Sequence, residues 1–206
     1  MRKLLIASNN AHKIEEYQQI FATLPFEVTY LDREGITLDP DETGVTFAEN
    51  ATIKAVAFAE ASGLLTLADD SGLEVDALNK EPGVYSARYG QTAKHDHQGR
   101  YQLILEKLQT SNVADAARTA RFRCVIAIAD PTDPDVEKSV RLVDGSIEGM
   151  IASEPLGEHG FGYDPIFYIP AYNQTMAQLS PEMKNKISHR GVAAKAAVPV
   201  LEKILA

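Results

Sequence analysis

The N-terminal part of the chain changes from a short apolar run to helical spacing and then back to a short apolar run. Residues 3–7 have the length and composition of a buried strand, and the polar, turn-forming residues 8–10 follow them. Residues 26–31 return to an extended pattern. Because a helix between two such strands has to cover one face of their sheet, this opening predicts an α/β layered fold. The helical face between the strands consists of Ile14, Tyr17, Ile20, Phe21 and Leu24.

The same patterns predict further helices and strands along the rest of the chain. An alanine-rich stretch over residues 46–62 has the spacing of a buried helix and ends at Gly63, a residue type that commonly terminates helices. The apolar run 64–68 predicts a strand that stops at the polar residues 69–72, after which residues 73–78 resume an extended pattern. Alternating and β-branched residues predict two long antiparallel strands, and hence a mixed sheet. These strands cover residues 120–129 and 139–151 with a turn at 131–134, and helices are expected over 95–109 and 181–205, the second with Ser180 as its N-cap.

The composition is that of a soluble globular protein. The chain has 206 residues, of which 45% are hydrophobic and 24% charged, and it has no internal repeat and no compositional boundary. We therefore expect residues 1–206 to form a single domain. Cys124 is the only cysteine, which excludes an intrachain disulfide and suits a reducing compartment. The expected location is the cytoplasm.

Net charge and the lengths of the apolar runs limit the classes of partner. The formal net charge is -9 at pH 7, which disfavours broad electrostatic binding to nucleic acid or to anionic lipid. No apolar run approaches the ~18 residues of a membrane span, and the run at the N-terminus is too short for a signal-peptide core. We expect no nucleic-acid partner and no membrane partner. A polyanionic small ligand would need a local basic cluster or a metal ion.

A polar loop at residues 8–13 is the first candidate binding segment. It lies between a predicted buried strand and a predicted helix N-terminus. Backbone N–H groups at a helix start carry a positive partial charge, and Lys13 adds a full charge, so an anionic group could dock there. The alternative is an ordinary capped turn. The segment is not a Walker loop, because the GxxxxGK[ST] pattern is absent.

Acidic residues follow the strand predicted over residues 64–68, at the kind of sheet edge where ligands of open α/β sheets bind. A carboxylate here could ligate Mg²⁺ or deprotonate a water. We expect only one of Asp69 and Asp70 to be catalytic, because neighbouring side chains on extended backbone point in opposite directions. Glu42 and Glu49 are acidic partners that could complete a Mg²⁺ site with substrate phosphates. The alternatives are a solvated Asp-Ser-Gly turn and, for Glu49, an interaction with the helix dipole.

Two further segments have residues suited to a nucleotide. Residues 157–165 combine glycines with Phe161 and Tyr163, and an exposed ring next to glycine offers a stacking face to a flat base. The alternative is a glycine-rich bend with both rings in the core. Residues 184–191 are the densest basic segment of the chain and could meet a phosphate or an oxo-substituted base through Lys184 and Arg190. The alternative is a solvated helix face.

Other hydrolytic chemistries lack their residues in this sequence. The five histidines include no HExxH motif and no i, i+4 pair, so a zinc hydrolase is not expected. A GxSxG elbow is absent and Cys124 lies in an apolar strand, so nucleophilic serine or cysteine catalysis has no support. Attack by a metal-assisted water is the hydrolytic route that remains.

Together and in this order, the segments resemble the inosine/xanthosine triphosphate pyrophosphatase family. The motifs that carry the resemblance are SNNAHK, TGVTFAENATIKA, LADDSGLEVDAL, PGVYSARYG, GFGYDPIF and ISHRG. The resemblance implies an α/β fold with an elongated mixed β-sheet flanked by helices, in two lobes with the active site in the cleft between them. It also implies a homodimer, and Mg²⁺-dependent cleavage of ITP, dITP and XTP to the nucleoside monophosphate and pyrophosphate.

The resemblance further implies a role for each matching residue. Asp70 corresponds to the proton acceptor and metal ligand, and Glu42 to a second metal ligand. Asn9 stands where many relatives have glycine. The residues implied to bind substrate are Ser8, Asn9, Asn10, Ala11, His12 and Lys13 at the triphosphate, Ser71, and Phe161, Gly162, Tyr163, Asp164, Lys184, His189 and Arg190 at the base and sugar.

Two other functions remain open at this point. The chain could be a sensor that binds the nucleotide without turnover, or a hydrolase of modified pyrimidine triphosphates. Comparison of purine with pyrimidine substrates separates the second from the family's activity. In the purine case, selectivity requires donors that meet the 6-oxo group, because the 6-amino group of adenine would leave a buried donor unpaired at a cost of ~1–3 kcal/mol.

Overall fold

The computed structural model describes residues 1–93, 96–133 and 139–205. Several 3₁₀ turns connect the regular elements, and no helix within the described residues is both long and apolar enough to cross a membrane. The strands are β1 (Arg2–Ile6), β2 (Phe26–Tyr30), β3 (Leu65–Val75), β4 (Thr119–Ala129), β5 (Val140–Ile151), β6 (Phe167–Ile169) and β7 (Gln174–Thr175). The helices are α1 (Ala11–Ile20), α2 (Phe47–Ser62), α3 (His97–Thr110), α4 (Pro181–Ile187) and α5 (His189–Leu205).

The strands form a mixed seven-stranded sheet in the order β2-β1-β3-β4-β5-β6-β7. Strand β1 pairs in parallel with β2 and β3, whereas β6 pairs antiparallel with β5 and β7. Two backbone hydrogen bonds of 2.8 Å, from Asp130 N–H to Ser139 and from Ile151 N–H to Arg118, join the opposite ends of β4 and β5 in the antiparallel sense. The α/β class with a mixed sheet, predicted from the sequence, is confirmed.

The chain divides into two compact units. The first unit comprises Met1–Asp70, Cys124–Gly145 and Arg190–Ala206, and the second comprises Ser71–Arg123 and Ser146–His189. Two boundaries therefore fall inside motifs of the sequence, between Asp70 and Ser71 and between His189 and Arg190. The expectation of a single domain over residues 1–206 stays a prediction.

The first unit has its core between the parallel strands and the helices that pack on them. Helix α1 begins after Asn10, whose Oδ1 accepts hydrogen bonds from the backbone N–H of His12 at 3.1 Å and of Lys13 at 3.4 Å. Tyr17 of α1 and Phe21, the residue that caps the C-terminus of α1, stack with their ring centroids 5.7 Å apart. Apolar residues of β1, β2, β3, β4 and α5 complete the cluster: Leu4, Ile6, Phe26, Leu65, Leu67, Cys124, Ile126, Ile128, Ala193, Ala194, Ala197 and Leu201.

Helix α2, also in the first unit, has the termini that the sequence predicts. Thr46 Oγ1 accepts from the backbone N–H of Glu49 at 3.2 Å, and the Glu49 carboxylate accepts from the backbone N–H of Thr46 at 3.0 Å, which is a capping box. Gly63 ends the helix with φ of 68°, a left-handed conformation in which glycine avoids the Cβ clash. Ala51 and Ala55 are fully buried. The small-residue spacing in the sequence therefore marks the packed face of α2.

The second unit has its own core. Phe122 and Phe167 lie with ring centroids 4.5 Å apart. The hydroxyl of Tyr163 donates to the backbone carbonyl of Ser86 at 2.9 Å, and Ser86 Oγ accepts from the backbone N–H of Leu73 at 2.9 Å. The remaining buried members of this cluster are Val75, Tyr89, Ile104, Leu108, Ala120, Ile151, Ile166, Ile169, Met176 and Leu179.

The predicted end of a strand at residues 69–72 is wrong. Strand β3 continues through Asp69, Asp70, Ser71 and Gly72 to Val75 without interruption. The prediction treated the two aspartates as exposed turn residues, but both are buried and are bonded to cationic side chains. A carboxylate that is satisfied in this way can remain in a strand, because it needs neither a turn nor water to complete its hydrogen bonds.

Other boundaries differ by a few residues or fall outside the described residues. The helix predicted over 95–109 is observed as α3 from His97 to Thr110, and His95 lies outside the described residues. Pro134, at the end of the predicted turn 131–134, also lies outside them. Ser180 caps α4 as predicted, since its Oγ accepts from the backbone N–H of Met183 at 3.3 Å. The helical region 181–205 is divided into α4 and α5 at Ser188, whose ψ of 158° is extended.

Candidate functional site

The polar loop between β1 and α1 is ordered by its own side chains. Ser8 Oγ accepts from the backbone N–H of Asn10 at 3.1 Å, and Asn10 in turn caps α1. The capped turn considered for this segment is therefore present. Asn9 is not among the described residues that have a positive φ, so its backbone conformation does not require the glycine found in many relatives. Ala11 and His12 are exposed at the start of the helix.

The carboxylate of Asp69 is buried among cationic side chains of the first unit. Lys13 Nζ donates to Asp69 Oδ2 at 2.8 Å, Arg190 Nη2 lies 3.5 Å from the same oxygen, and Cys124 Sγ lies 3.7 Å from it. The side chain of Asp69 is only 1% exposed. Burial alone would raise the pKa of this carboxyl, but the charges of Lys13 and Arg190 outweigh burial and hold the pKa well below its usual range. Asp69 is therefore a permanent anion that is neutralised by its neighbours.

Asp70, the next residue, faces a different set of partners. Lys54 Nζ donates to Asp70 Oδ1 at 3.2 Å, and Asn50 Nδ2 donates to Asp70 Oδ2 at 3.3 Å. The same Lys54 nitrogen donates to Glu42 Oε1 at 2.8 Å. Burial raises the pKa of Asp70, Lys54 and Lys13 oppose the rise, and Glu42 adds to it. Asp70 thus holds its proton more readily than Asp69 does, which suits a group that accepts a proton.

Asp70 and Glu42 fit the donor set of a hard divalent cation. Both carboxylates contact the single ammonium of Lys54, so their oxygens converge on a point that already holds a positive charge. Mg²⁺ binds in proteins through one or two carboxylates and keeps the rest of its shell for water and substrate phosphates. Within residues 1–93, 96–133 and 139–205, no group of three or more His, Cys, Asp or Glu side chains forms a more complete metal cage.

Lys54 and Asn50 are site residues that the sequence reasoning missed. Both lie on α2 inside the motif TFAENATIKA, four residues apart, so they share one face of the helix. Asn50 is fully buried, and its Oδ1 also accepts from the backbone N–H of Gly44 at 2.8 Å, which holds the acidic loop that precedes α2. A polar pair at i, i+4 on an otherwise alanine-rich buried face is the signal that could have identified them.

Arg190 lies in the first unit, among the residues around Asp69. Its side chain is 2% exposed, and Nη1 donates to Glu16 Oε2 of α1 at 2.6 Å. The resemblance implied a place for Arg190 at the base and sugar. Its contacts within the first unit join α1, β3 and the start of α5. The role at the base and sugar stays a prediction.

In the second unit, Phe161, Asp164 and Lys184 form one bonded cluster. Lys184 Nζ donates to Asp164 Oδ2 at 2.8 Å and lies 4.6 Å from the centre of the Phe161 ring. The same Asp164 oxygen accepts from the backbone N–H of Phe161 at 2.8 Å. Asp164 and Lys184 are buried and Phe161 is half-buried. The structure therefore brings these three predicted residues together and places a cation beside an aromatic ring.

The other predicted site residues of the second unit are Tyr163, Gly162, His189 and Ser71. Tyr163 is in the core, its hydroxyl is bonded, and burial raises its pKa. The core alternative considered for the glycine-rich segment is therefore correct for Tyr163. Gly162 has φ of 66°, which permits the tight bend before it. The ring of His189 stacks on Phe122, with centroids 4.6 Å apart and planes inclined by 17°. Ser71 lies within β3 and is half-buried.

His97 is a neighbour of Phe161 that the sequence reasoning did not single out. The two rings lie 6.4 Å apart between centroids and are tilted by 54°. Arg100 Nη2 lies 2.7 Å from His97 Nδ1, and because a guanidinium only donates, Nδ1 accepts this hydrogen bond. His97 is at the first position of α3, and its spacing carries no signal that distinguishes it from the other histidines.

An apolar depression of about 530 Å³ lies elsewhere in the first unit. It borders the start of α2 and includes the exposed side chains of Val45 and Leu142. Neither Asp70 nor Glu42 lines it. The one charged residue of its lining is the acidic Glu49, which would repel a phosphate, so this depression is not the candidate site.

Comparison with known proteins agrees with the motifs. The model of the Ham1 family matches residues 4–200. A dITP/XTP pyrophosphatase of Desulforamulus reducens is 46% identical over 202 residues, which cover 98% of this chain and 96% of that protein. A dITP/XTP pyrophosphatase of Bacillus subtilis is 43% identical over 202 residues, with 98% of both chains covered. The solved structure of a HAM1 protein from Coxiella burnetii is 43% identical with a TM-score of 0.86, over 98% of this chain and 100% of that one.

Proposed function

Because the chain belongs to the Ham1 family, we propose that it hydrolyses deaminated purine nucleoside triphosphates to the nucleoside monophosphate and pyrophosphate, in a reaction that requires Mg²⁺. The proposed substrates are ITP, dITP and XTP. This activity would remove the deaminated nucleotides from the nucleotide pool, which is in keeping with the cytoplasmic location expected from the single cysteine, Cys124.

One observation of the structure carries the proposal. Asp70 and Glu42 converge on the ammonium of Lys54, at 3.2 Å and 2.8 Å, while Lys13 at the N-terminus of α1 is held by the adjacent Asp69. Two carboxylates that attract a cation, close to a lysine at a helix N-terminus, are groups that phosphoryl transfer requires. This arrangement supports the proposal.

At the phosphate end, we assign the triphosphate to the loop of residues 8–13. Lys13 supplies the positive charge, and the exposed residues Asn9, Ala11 and His12 offer polar backbone groups at the start of α1. Asp70 and Glu42 would hold Mg²⁺, which when bound neutralises phosphate charge and favours departure of pyrophosphate. Lys54 keeps the two carboxylates together.

Asp70 is the proposed proton acceptor. Its raised pKa brings it closer to the working pH of a general base than an ordinary aspartate. Asp70 would orient the attacking water and take its proton as the water approaches the α-phosphorus. Asn50 holds the other carboxylate oxygen at 3.3 Å and so limits the directions in which Asp70 can point. Most of the catalysis in this scheme is positioning and charge stabilisation.

At the base end, in the second unit, we assign the purine to Phe161 and Lys184. Phe161 offers part of an aromatic face, and stacking of this kind contributes ~1–3 kcal/mol per base in nucleic-acid complexes. Lys184 is fixed by Asp164 at 2.8 Å and offers N–H donors, which match a 6-oxo group but not the 6-amino group of adenine. A homodimer is also proposed from the resemblance, and the exposed Val45 and Leu142 provide an apolar surface of the kind that a second copy covers.

The test is product analysis with four nucleotides. Release of pyrophosphate and of orthophosphate is measured from ITP, XTP, GTP and ATP, each with Mg²⁺ or with chelator. Pyrophosphate from ITP and XTP alone, lost on chelation, is the expected result. Orthophosphate would place the attack at the γ-phosphorus and overturn the mechanism. Binding of ITP with no product would favour the sensor, and turnover of modified pyrimidine triphosphates alone would favour the other hydrolase.

A further inference from the structure

Asp69 is adjacent to the proposed proton acceptor, yet its surroundings leave it no direct part in the chemistry. Its side chain is 1% exposed, and one of its oxygens, Oδ2, is contacted by Lys13 at 2.8 Å, Arg190 at 3.5 Å and Cys124 at 3.7 Å. A buried charge of this kind has to be paired to be tolerated at all. The question is therefore what the pairing does for the residues around it.

We propose that Asp69 is a positioning residue that sets the location of the Lys13 ammonium for the triphosphate. This inference rests on the proposed function, in which Lys13 contacts the phosphates. Asp69 acts through Lys13 and does not touch the reacting atoms. It is distinct from Asp70, which follows it on β3 and has Lys54 and Asn50 as its partners.

The exposures of the two side chains fit this division of roles. The Lys13 side chain is 16% exposed, whereas that of Asp69 is 1% exposed, so an anion that arrives from solvent meets the lysine and not the carboxylate behind it. An ammonium has three N–H donors, and a bond to Asp69 occupies one of them. A lysine held in this way loses less rotamer freedom on binding a phosphate than a lysine that moves freely in solvent.

Asp69 is itself held in place from two directions. It belongs to the buried part of β3, and Arg190, at the start of α5, lies 3.5 Å from it. Arg190 also donates to Glu16 at 2.6 Å, and Glu16 lies on α1 one turn after Lys13. The chain Lys13, Asp69, Arg190 and Glu16 thus starts and ends on the same helix. A carboxylate anchored this firmly can define the position of a flexible side chain.

Electrostatics alone would predict the opposite effect of removing Asp69. If the carboxylate did no more than add negative charge near the phosphates, its loss would strengthen nucleotide binding. If it served the fold alone, its loss would reduce the fraction of active enzyme and so lower kcat, with KM unchanged. A positioning role predicts a raised KM. The direction of the change in KM therefore separates the three roles.

The experiment compares the wild type with Asp69→Asn, Lys13→Met and the double variant. We expect KM for ITP to rise about tenfold in Asp69→Asn, and to rise no further when Asp69→Asn is added to Lys13→Met. Asp130→Asn is the matched control, because it removes another nearly buried carboxylate of the first unit, which pairs with Arg2 at 2.6 Å and lies outside the Lys13 cluster, and its KM should stay within about twofold of the wild type. An unchanged or lowered KM in Asp69→Asn overturns the proposal, as does an equal rise in the Lys13→Met background.

Two additions keep the outcome clear. Asp69→Glu retains the charge beside Arg190 but moves it by one methylene, so it replaces Asp69→Asn if that variant does not fold, with the same expected rise and the same overturning results. Calorimetric binding of inorganic tripolyphosphate in chelator reports on the Lys13 contact without turnover. Weaker binding by about tenfold in the Asp69 variant supports the proposal even if the wild type hydrolyses no ITP, and unchanged binding overturns it.

Discussion

The ammonium of Lys54 lies 3.2 Å from Oδ1 of Asp70, and the side chains of both residues are almost entirely buried. The same nitrogen donates to Glu42 at 2.8 Å. Burial lowers the pKa of Lys54, but the carboxylates of Asp70 and Glu42 raise it, and the net shift is upward. Lys54 in turn opposes the rise that burial causes in the pKa of Asp70. The two acidic residues proposed as metal ligands are therefore held close together by a cation that belongs to the chain.

Replacement of Lys54 by methionine should make the protein more dependent on Mg²⁺ for stability. Without the ammonium, Asp70 and Glu42 lose a shared partner, which costs about 1–3 kcal/mol in chelator. A divalent cation bound to the two carboxylates would offset this loss of stability. The rise in Tm on adding Mg²⁺ should therefore be about twice that of the wild type. Thermal unfolding in chelator and in Mg²⁺ measures it.

Lys3→Met is the control for this comparison. Lys3 pairs with Glu34 at 2.9 Å in the same unit, away from the proposed metal ligands. Its variant should show the same Mg²⁺ shift as the wild type. A Mg²⁺ shift in Lys54→Met that is smaller than in the wild type would mean that Lys54 is needed to assemble the ligands, and the interpretation above would be wrong.

Asp70→Asn should abolish turnover while the fold is retained. The amide keeps a hydrogen bond with Asn50 or Lys54 but cannot accept a proton, so kcat should fall by about 10²–10⁴-fold. The rate of pyrophosphate release from ITP measures the loss, and circular dichroism checks the fold. Glu60→Gln, an exposed acidic position on α2, should retain full activity. Full activity in Asp70→Asn would show that the Asp70 carboxylate takes no part in the reaction.

Loss of one partner from the buried pair of Asp164 and Lys184 should be costly. Their side chains are 4% and 7% exposed, and Asp164→Asn removes the carboxylate that lies 2.8 Å from the Lys184 ammonium inside the second unit. We expect the free energy of unfolding to fall by about 3–5 kcal/mol, measured by denaturant titration. Glu27→Gln breaks an exposed pair with Arg33 and should cost less than about 1 kcal/mol. Equal losses in the two variants would contradict the expected effect of burial.

The Cys124 thiol should be unreactive in the folded protein. Burial, reinforced by Asp69, raises the pKa of Cys124 to about 12, although Arg190 and Lys13 lower it. At pH 8 the folded thiol keeps its proton, whereas the thiol of the unfolded chain, with a pKa near ~8.5, is partly ionised. A thiol reagent should therefore label one cysteine per chain in denaturant and almost none without it. Rapid labelling of the native protein would show that the first unit opens at Cys124.

Several helices and strands of the fold could be predicted from local patterns. Thr46 and Gly63 mark the ends of α2, and the spacing of Tyr17 and Phe21 marks the buried face of α1. These features depend on residues within a few positions of one another, where periodicity and capping rules apply. Asp164 and Lys184 were also identified, and the structure bonds them to each other. Their roles toward a substrate stay a prediction.

The errors and omissions have one physical cause. The prediction ended a strand at Asp69 because a charged residue is expected to be exposed, and Lys54 was passed over because nothing near it in the sequence explained a buried lysine. Asp69 is neutralised by Lys13 and Arg190 at separations of 56 and 121 residues. Lys54 is neutralised by Glu42 and Asp70 at separations of 12 and 16 residues, which also exceed the range of helical or strand periodicity. Local patterns carry no information about pairs at such separations.

The sequence by itself determined most of the helices and strands as far as β5, the motifs and, through them, the family. Those features depend on short-range spacing and on which residue types are present. Only the tertiary structure decided that the adjacent carboxylates Asp69 and Asp70 have different partners, and that Arg190 belongs with Asp69. The reason is that a side chain's charge state and reach depend on which cations the fold brings within ~4 Å of it, and that proximity is produced by packing of the whole unit.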